Sequence, residues 1–295
     1  MRKPLRFGAI ACSSVLGMSV AVSASAAPVY ANNASPGDSY TNASTSNQGQ
    51  AVGATGWYYN NVRNGGTVGI NASNARSGNG SAVMSGTAGP ANSSHKADIE
   101  YLSGGVAVGG NFGASTSMGA FSSFSGMSYD WFRSSSSTAN SDQLPALRIL
   151  LDLDGNLATT GDRGGLVFER VYNGGGYPTD SWQSDTVSSS TYLWNFGLGI
   201  GFAANINAST YAYDATLAEW KAYAPNAAIL GFSAGIGSGW GPFSGAVDNI
   251  AWTINGQTTA SNFEVQGGTV PEPATPLLVG LSLAGLAAAS RRRKA

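Results

Sequence analysis

Few residues in this chain could do chemistry. Asp98-Ile99-Glu100 sets two carboxylates two positions apart, which on a strand puts both on one face. Glycosidic cleavage needs such a pair, one acid to protonate the leaving oxygen and another to act as nucleophile or base. Asp152-Leu153-Asp154-Gly155-Asn156, with Asp162 and Glu169 downstream, is the densest set of oxygen ligands. Calcium takes roughly six to eight hard oxygens, and this tight turn could offer several, with Asp152, Asp154, Asn156 and Asp162 as candidate ligands. The spacing is not that of an EF-hand, and an acidic hairpin turn without metal is the competing reading. No cofactor is demanded, and calcium is the one ion this set would suit.

His95 is the single histidine, so a His-based metal centre is excluded and a Ser-His-Asp triad would have to run through it. No Gly-x-Ser-x-Gly elbow accompanies it, and a surface histidine is expected. Aromatic residues are the remaining candidates: Trp57, Tyr58, Trp131, Trp182, Trp194, Trp220, Trp240 and Trp252. Their flat faces could stack on sugar rings. Most should be core; Trp182 and Trp240, flanked by Gly, Ser, Asp and Pro, are expected on exposed loops as the carbohydrate-binding pair.

The elements that must position these residues read as strands. Alternation is clear in Ser128 to Arg133, where Tyr129, Trp131 and Arg133 share a face, and in Ala146 to Leu153, where Leu147, Ile149, Leu151 and Leu153 oppose Arg148, Leu150 and Asp152. Further strand-like segments run at Thr67 to Ile70, Ser81 to Met84, Ala97 to Leu102, Leu166 to Tyr172, Ser190 to Phe196, Ala228 to Phe232, Val247 to Ile254 and Ser261 to Val265. One helix is predicted over Thr216 to Tyr223, ended by Pro225. About ten strands and a short helix imply an all-β, jelly-roll β-sandwich. Order is expected from about Gly56, preceded over 27–50 by a polar lead-in too poor in apolar surface to fold, with the sandwich body over 51–268.

Seven of the fifteen cations lie at the two ends, whereas all sixteen acids lie between Asp38 and Glu272. The middle therefore carries about −8 and has no electrostatic footprint for nucleic acid. Cys12, the only cysteine, falls in the N-terminal segment, which leaves the body without a disulfide or thiolate metal site.

Arg2, Lys3 and Arg6 precede an uncharged run from Phe7 to Ala27 that closes in Ser23-Ala24-Ser25-Ala26-Ala27-Pro28. This is the pattern of a signal peptide over 1–26, with Ala24 and Ala26 fitting the small-residue cleavage site. At the other end Val270-Pro271-Glu272-Pro273 leads into an apolar run from Leu277 to Ala289 and then Arg291-Arg292-Arg293-Lys294. The prolines cannot join a helix, the apolar run can insert in a bilayer, and the arginines would stay cytoplasmic. These three parts, over 269–295, closely resemble the PEP-CTERM sorting signals. The resemblance implies export by the secretion machinery, transient inner-membrane anchoring, processing by an exosortase near Pro-Glu-Pro, residence at the cell surface or outside it, and a role with exopolysaccharide or biofilm.

A second resemblance covers about a quarter of the body. Gly237 to Ile250, which contains Asp248-Asn249, and Ser261-Asn262-Phe263-Glu264 resemble the last strands of concanavalin-like and carbohydrate-module jelly rolls. Asp98-Ile99-Glu100 is similar to the end of the Glu-x-Asp-x-Glu signature of concanavalin-like glycanases, but Lys96 stands where that family has its nucleophile. The expectation is a non-enzymatic structural or exopolysaccharide-associated surface protein. A carbohydrate-binding module is the alternative, and a glycanase the more distant one.

Overall fold

A computed structural model of the chain describes residues 26–86, 94–104 and 116–266. Residues 1–25 of the expected signal peptide over 1–26, Ala24 among them, and the sorting residues Val270, Pro271, Glu272, Pro273, Arg291, Arg292 and Arg293 lie outside the described residues.

The chain opens with β1 (Ala27–Ala34), β2 (Tyr40–Asn42) and β3 (Gln48–Ala51), then β4 (Trp57–Arg63), β5 (Gly66–Asn71), β6 (Ser81–Gly86) and β7 (Lys96–Leu102). The short β8 (Gly119–Ala120) is followed by β9 (Phe124–Arg133), β10 (Ala146–Asp152), β11 (Arg163–Phe168), β12 (Gln183–Val187) and β13 (Trp194–Gly197). One helix, α1 (Leu217–Tyr223), precedes β14 (Ala228–Ile236), β15 (Phe243–Ile254) and β16 (Gln257–Gln266).

Among the described residues these form two eight-stranded sheets packed as a jelly-roll β-sandwich. The first runs β1-β16-β15-β6-β5-β2, with β9 and β12 joined through β15; the second runs β13-β11-β10-β14-β7-β4-β3, with β8 against β14. Every ladder is antiparallel except β1 with β16. Between the sheets lies an aromatic-rich core. Trp57 of the second sheet meets Trp252 and Phe263 of the first at ring-centroid distances of 6.0 and 4.9 Å, and its indole N–H donates to Ser261 Oγ at 3.1 Å. That bond removes the desolvation cost of burying an indole donor.

The alternation read from the sequence places residues as expected. Leu147, Ile149 and Leu151 face this core, while Arg148, Leu150 and Asp152 face away from it, and all seven residues of β10 are buried. A central strand covered on both faces has this pattern. The helix is where the sequence puts it: Thr216 and Glu219 form a reciprocal capping box, and Leu217 and Trp220 are its buried face.

The segment over 27–50 corrects an expectation, because it contains β1, β2 and most of β3 rather than an unfolded lead-in. Its apolar residues are few but well spaced: Val29 and Ala31 enter the core, while β1 is hydrogen-bonded along β16. Asp38, 4% exposed, accepts hydrogen bonds from the backbone N–H groups of Asn32 and Asn33 and from the Tyr59 hydroxyl. Composition underestimates this segment because its order comes from ladder bonds and one buried carboxylate, not from its own hydrophobic surface. The ladders β12, Gln183–Val187, and β4, Trp57–Arg63, likewise extend the strand set.

Candidate functional site

The outer face of the second sheet is assembled from cross-strand rows. One row runs Trp194, Val167, Arg148, Ser233, Glu100, Tyr58 through successive partners on β13, β11, β10, β14, β7 and β4. The neighbouring row carries Gly235, Asp98 and Asn60. Residues of β14 on this face are therefore Gly231, Ser233 and Gly235, a floor of small side chains between two strands that bear charge. Arg148 of β10 crosses this floor to reach Asp98 of β7, Nη1 to Oδ1 at 2.9 Å, and touches Ser233 Oγ at 3.3 Å. A Cβ at Gly235 would stand 1.9 Å from Asp98 Oδ1, so glycine is what admits the crossing.

Asp98 and Glu100 thus share a face, as their spacing requires, but their surroundings are those of a closed network. Asp98 pairs with Lys96 at 2.7 Å as well as with Arg148. Glu100, 1% exposed, accepts from Asn60 Nδ2 at 2.7 Å and Asn61 Nδ2 at 2.8 Å. Burial, aided by the Asp98 charge, raises Glu100 to about 7. Burial and the Arg148 charge push Lys96 down to about 8 against the pull of Asp98.

Beside this network the face opens into a cleft of about 340 Å³. Arg63, Lys96, Arg148 and Glu169 bring charge to it; Trp194, Phe202 and Trp240 bring rings. Trp194 is held by its indole N–H, which donates to Glu169 Oε2 at 3.0 Å. Burial raises the Glu169 carboxyl above its ordinary range, while that indole bond works the other way. The rings continue outward from the cleft. Trp194 lies 5.0 Å from Phe202 and 6.1 Å from Tyr213, which stacks on Tyr172 at 4.5 Å with Tyr211 alongside. Phe202 is 68% and Tyr211 50% exposed, so the ribbon presents aromatic area to solvent.

The two tryptophans singled out in the sequence part company. Trp240 lines the cleft but is 6% exposed rather than displayed on a loop: it packs edge-on against Phe243 and lies over Gly237, where a Cβ would meet the indole at 2.4 Å. Trp182 is half-buried outside the cleft, against Phe132 at 5.8 Å and under the Arg76 guanidinium at 5.9 Å. His95 is also a correction, being fully buried instead of on the surface. Gly86 makes the room, since a Cβ there would sit 2.2 Å from the imidazole, and burial with the nearby Arg63 charge lowers the histidine's affinity for protons. The sequence names Trp194 among the aromatic candidates without separating it from the core tryptophans, and it does not single out Phe202. The readable signal was the outward parity of Lys96 and Arg148 together with the alternating small residues Gly231, Ser233 and Gly235.

The acidic turn is brought together as expected for three of its members: Asp152, Asp154 and Asp162 offer carboxylate oxygens within 4.8 Å of one another. Asn156 instead serves the turn, its Oδ1 accepting from the Ala158 N–H at 3.2 Å and its own N–H donating to Asp154 Oδ1 at 2.7 Å.

The PEP-CTERM protein-sorting motif matches residues 269–294. The chain therefore carries the signal of an exported protein processed at the membrane. Among the described residues no helix is long and apolar enough to cross a membrane. No curated protein matches the sequence. Two solved structures are similar in part. One, from a study of the promiscuous specificity of carbohydrate-binding modules of the β-sandwich superfamily, is 11% identical with a TM-score of 0.31. It covers 70% of this chain, which spans only 56% of that one. The other is a family 11 carbohydrate-binding module from Clostridium thermocellum in complex with a β-1,3-1,4-mixed-linked tetrasaccharide, 12% identical with a TM-score of 0.33, covering 75% of this chain and 99% of that one.

Proposed function

We propose that this exported protein is a non-catalytic polysaccharide-binding module of the cell surface or matrix, and that the cleft on its second sheet takes a sugar chain bearing carboxylates. One observation carries the reading: three of the eight cations in the body, Arg63, Lys96 and Arg148, converge with Trp194, Phe202 and Trp240 on a single cleft. Aromatic faces stack on pyranose rings, and guanidinium groups bind carboxylates in a fork. Lys96 and Arg148 also pair with Asp98, but among the residues lining the cleft three cations stand against one acid, Glu169, a balance opposite to that of the acidic middle of the chain and one that suits an anionic ligand.

Catalysis is not supported by the carboxylates. A glycosidase pair must flank the scissile bond, one on each side, with open access to it. Asp98 is engaged by two cations, and Glu100 is buried beneath the face with two amide donors on it. We propose further that exosortase removes the tail near Pro271 to Pro273 after signal peptidase cuts behind Ala26, so that the mature chain starts with the first residue of β1.

Affinity electrophoresis in gels cast with uronate-containing or neutral polysaccharides tests the binding. Retardation by the uronate chains, lost in Trp194→Ala, is the expected result. Equal mobility of wild type and Trp194→Ala in every gel would remove the cleft as a glycan site. Polysaccharide cleavage that disappears in Glu100→Gln would establish an enzyme instead.

A further inference from the structure

Asp152 ends β10 at the opposite end of that strand from the cleft, and Asp162 directly precedes Arg163, its ladder partner on β11. Between them the chain turns through Asp154 and Gly155, the latter at φ +75°. Folding thus gathers three carboxylates, one buried, one half-buried and one exposed, with oxygens no more than 4.8 Å apart. Arg163 supplies one positive charge, its Nε 3.1 Å from Asp152 Oδ2, while Nη2 is spent on the Leu157 carbonyl at 2.9 Å.

Asp152 itself is 0% exposed, and its second oxygen, Oδ1, is buried with no hydrogen-bond donor on it. A buried carboxylate oxygen without a donor is among the costlier defects a fold can carry, and the mutual repulsion of three neighbouring carboxylates adds to it. One divalent cation would resolve both.

We propose that Asp152, Asp154 and Asp162 bind a single calcium ion that pins the turn between β10 and β11. All three donors are hard oxygens, which disfavours the softer transition metals. They come from a strand end, a turn and a strand start, an irregular set that suits the flexible coordination of calcium better than the octahedron magnesium demands. The exposed Asp154 leaves an open side for waters to complete the shell. Asn156 acts through the turn, orienting Asp154 by its N–H, and is not a ligand. This site is independent of the polysaccharide reading, since it lies at the far end of β10 and needs no sugar.

Thermal unfolding of the full chain tests it, after chelation with EGTA and then with 10 mM calcium, 10 mM magnesium, or sodium chloride at matched ionic strength. An extracellular module with an affinity on the order of 0.1–1 mM should gain about 3–8 °C with calcium. Magnesium and sodium should give little. The Asp154→Asn/Asp162→Asn double variant should lose the calcium response and, in EGTA, melt at or above the wild-type temperature because the repulsion has gone. An unchanged melting temperature on adding calcium, an equal rise with magnesium or sodium chloride, or a calcium response retained in the double variant would each overturn the proposal.

Discussion

The outer faces of the two sheets both bury carboxylates, yet they are finished differently. On the first sheet, Asp248 accepts from the backbone N–H groups of Phe263 at 2.9 Å and Ser77 at 3.3 Å, and Glu264 from Asn79 N–H at 2.7 Å and Asn262 Nδ2 at 2.6 Å. Asp130 is tied to Arg76 and Asn249. The turn around Gly78 lies directly on Glu264, where a Cβ would come within 1.9 Å of its Oε1. The chain thus plugs that face with its own backbone. On the second sheet the Asp98 network is flanked by a cleft lined by cations and aromatic rings, with Phe202 exposed at its edge. Acidic residues alone do not mark a site; what covers them does.

Acidity gives the largest test of this comparison. Burial raises Asp248 from an ordinary 3.8 to about 7 and Glu100 from 4.5 to about 7. In the folded protein both hold protons that the unfolded chain has released, so stability should fall as pH climbs from about 4 to 7. Each group contributes a slope of at most about 1.4 kcal/mol per pH unit. Lys96 works in the other direction higher up: lowered from 10.5 to about 8, it should return stability as pH passes from 8 toward 10. Melting curves at pH 5, 6, 7 and 8 measure the descent, Asp248→Asn removing the plugged face's share and Glu100→Gln the cleft face's. A flat profile in the wild type would mean that both carboxylates fold ionised.

Breaking the plug should come next in size. Asp248→Ala strips the acceptor from the Phe263 and Ser77 amides and should cost about 3 kcal/mol, or roughly 6–12 °C in Tm. Asp248→Asn, which keeps an acceptor oxygen, should lose less. Neither should alter retardation by polysaccharide. Weakened binding in a folded Asp248→Asn protein would show that the two faces are coupled.

On the cleft face the order of effects reverses. Trp194→Ala should weaken polysaccharide binding about 10–100-fold, the usual worth of a stacking ring, and Phe202→Ala somewhat less. Phe202 is 68% exposed, so its removal should leave stability within about 0.5 kcal/mol of wild type. A Phe202→Ala protein that binds normally would confine the ligand to the inner cleft near Trp240.

These positions also show how far the sequence can be read. The period-2 alternation of Ala146 to Leu153 correctly gave β10 its two faces, and Asp98 and Glu100 were rightly placed on one side of β7. Arg148 could not be paired with Asp98 from sequence, because β14 lies between the two strands and comes more than 70 residues after both. Exposure was the least legible property. Trp240 sits among Gly, Ser and Pro, as loop tryptophans do, yet Gly237 and Phe243 close over it. Trp194 occupies a strand with ordinary composition, and only its place on the edge strand β13 brings it to the rim of the cleft. Segment 27–50 failed as a reading for the complementary reason, its order being supplied by its ladder partners β16, β5 and β4 rather than by its own composition.

Trp182 gives the smallest and sharpest discrimination. It precedes β12 on the first sheet, half-buried between Phe132 and the Arg76 guanidinium, with none of the cleft's residues around it. Trp182→Ala removes one tilted aromatic contact and one partly exposed cation–π contact, together worth about 1 kcal/mol of stability. Polysaccharide retardation should be unchanged, although a tryptophan flanked by Asp, Ser and Gln is what sequence alone would choose for a sugar platform. Titration of Trp182→Ala and Trp194→Ala in parallel decides between the faces. If Trp182→Ala loses binding and Trp194→Ala keeps it, the ligand lies on the first sheet, the cations of the cleft serve only Asp98 and Glu169, and the plugged face is the functional one.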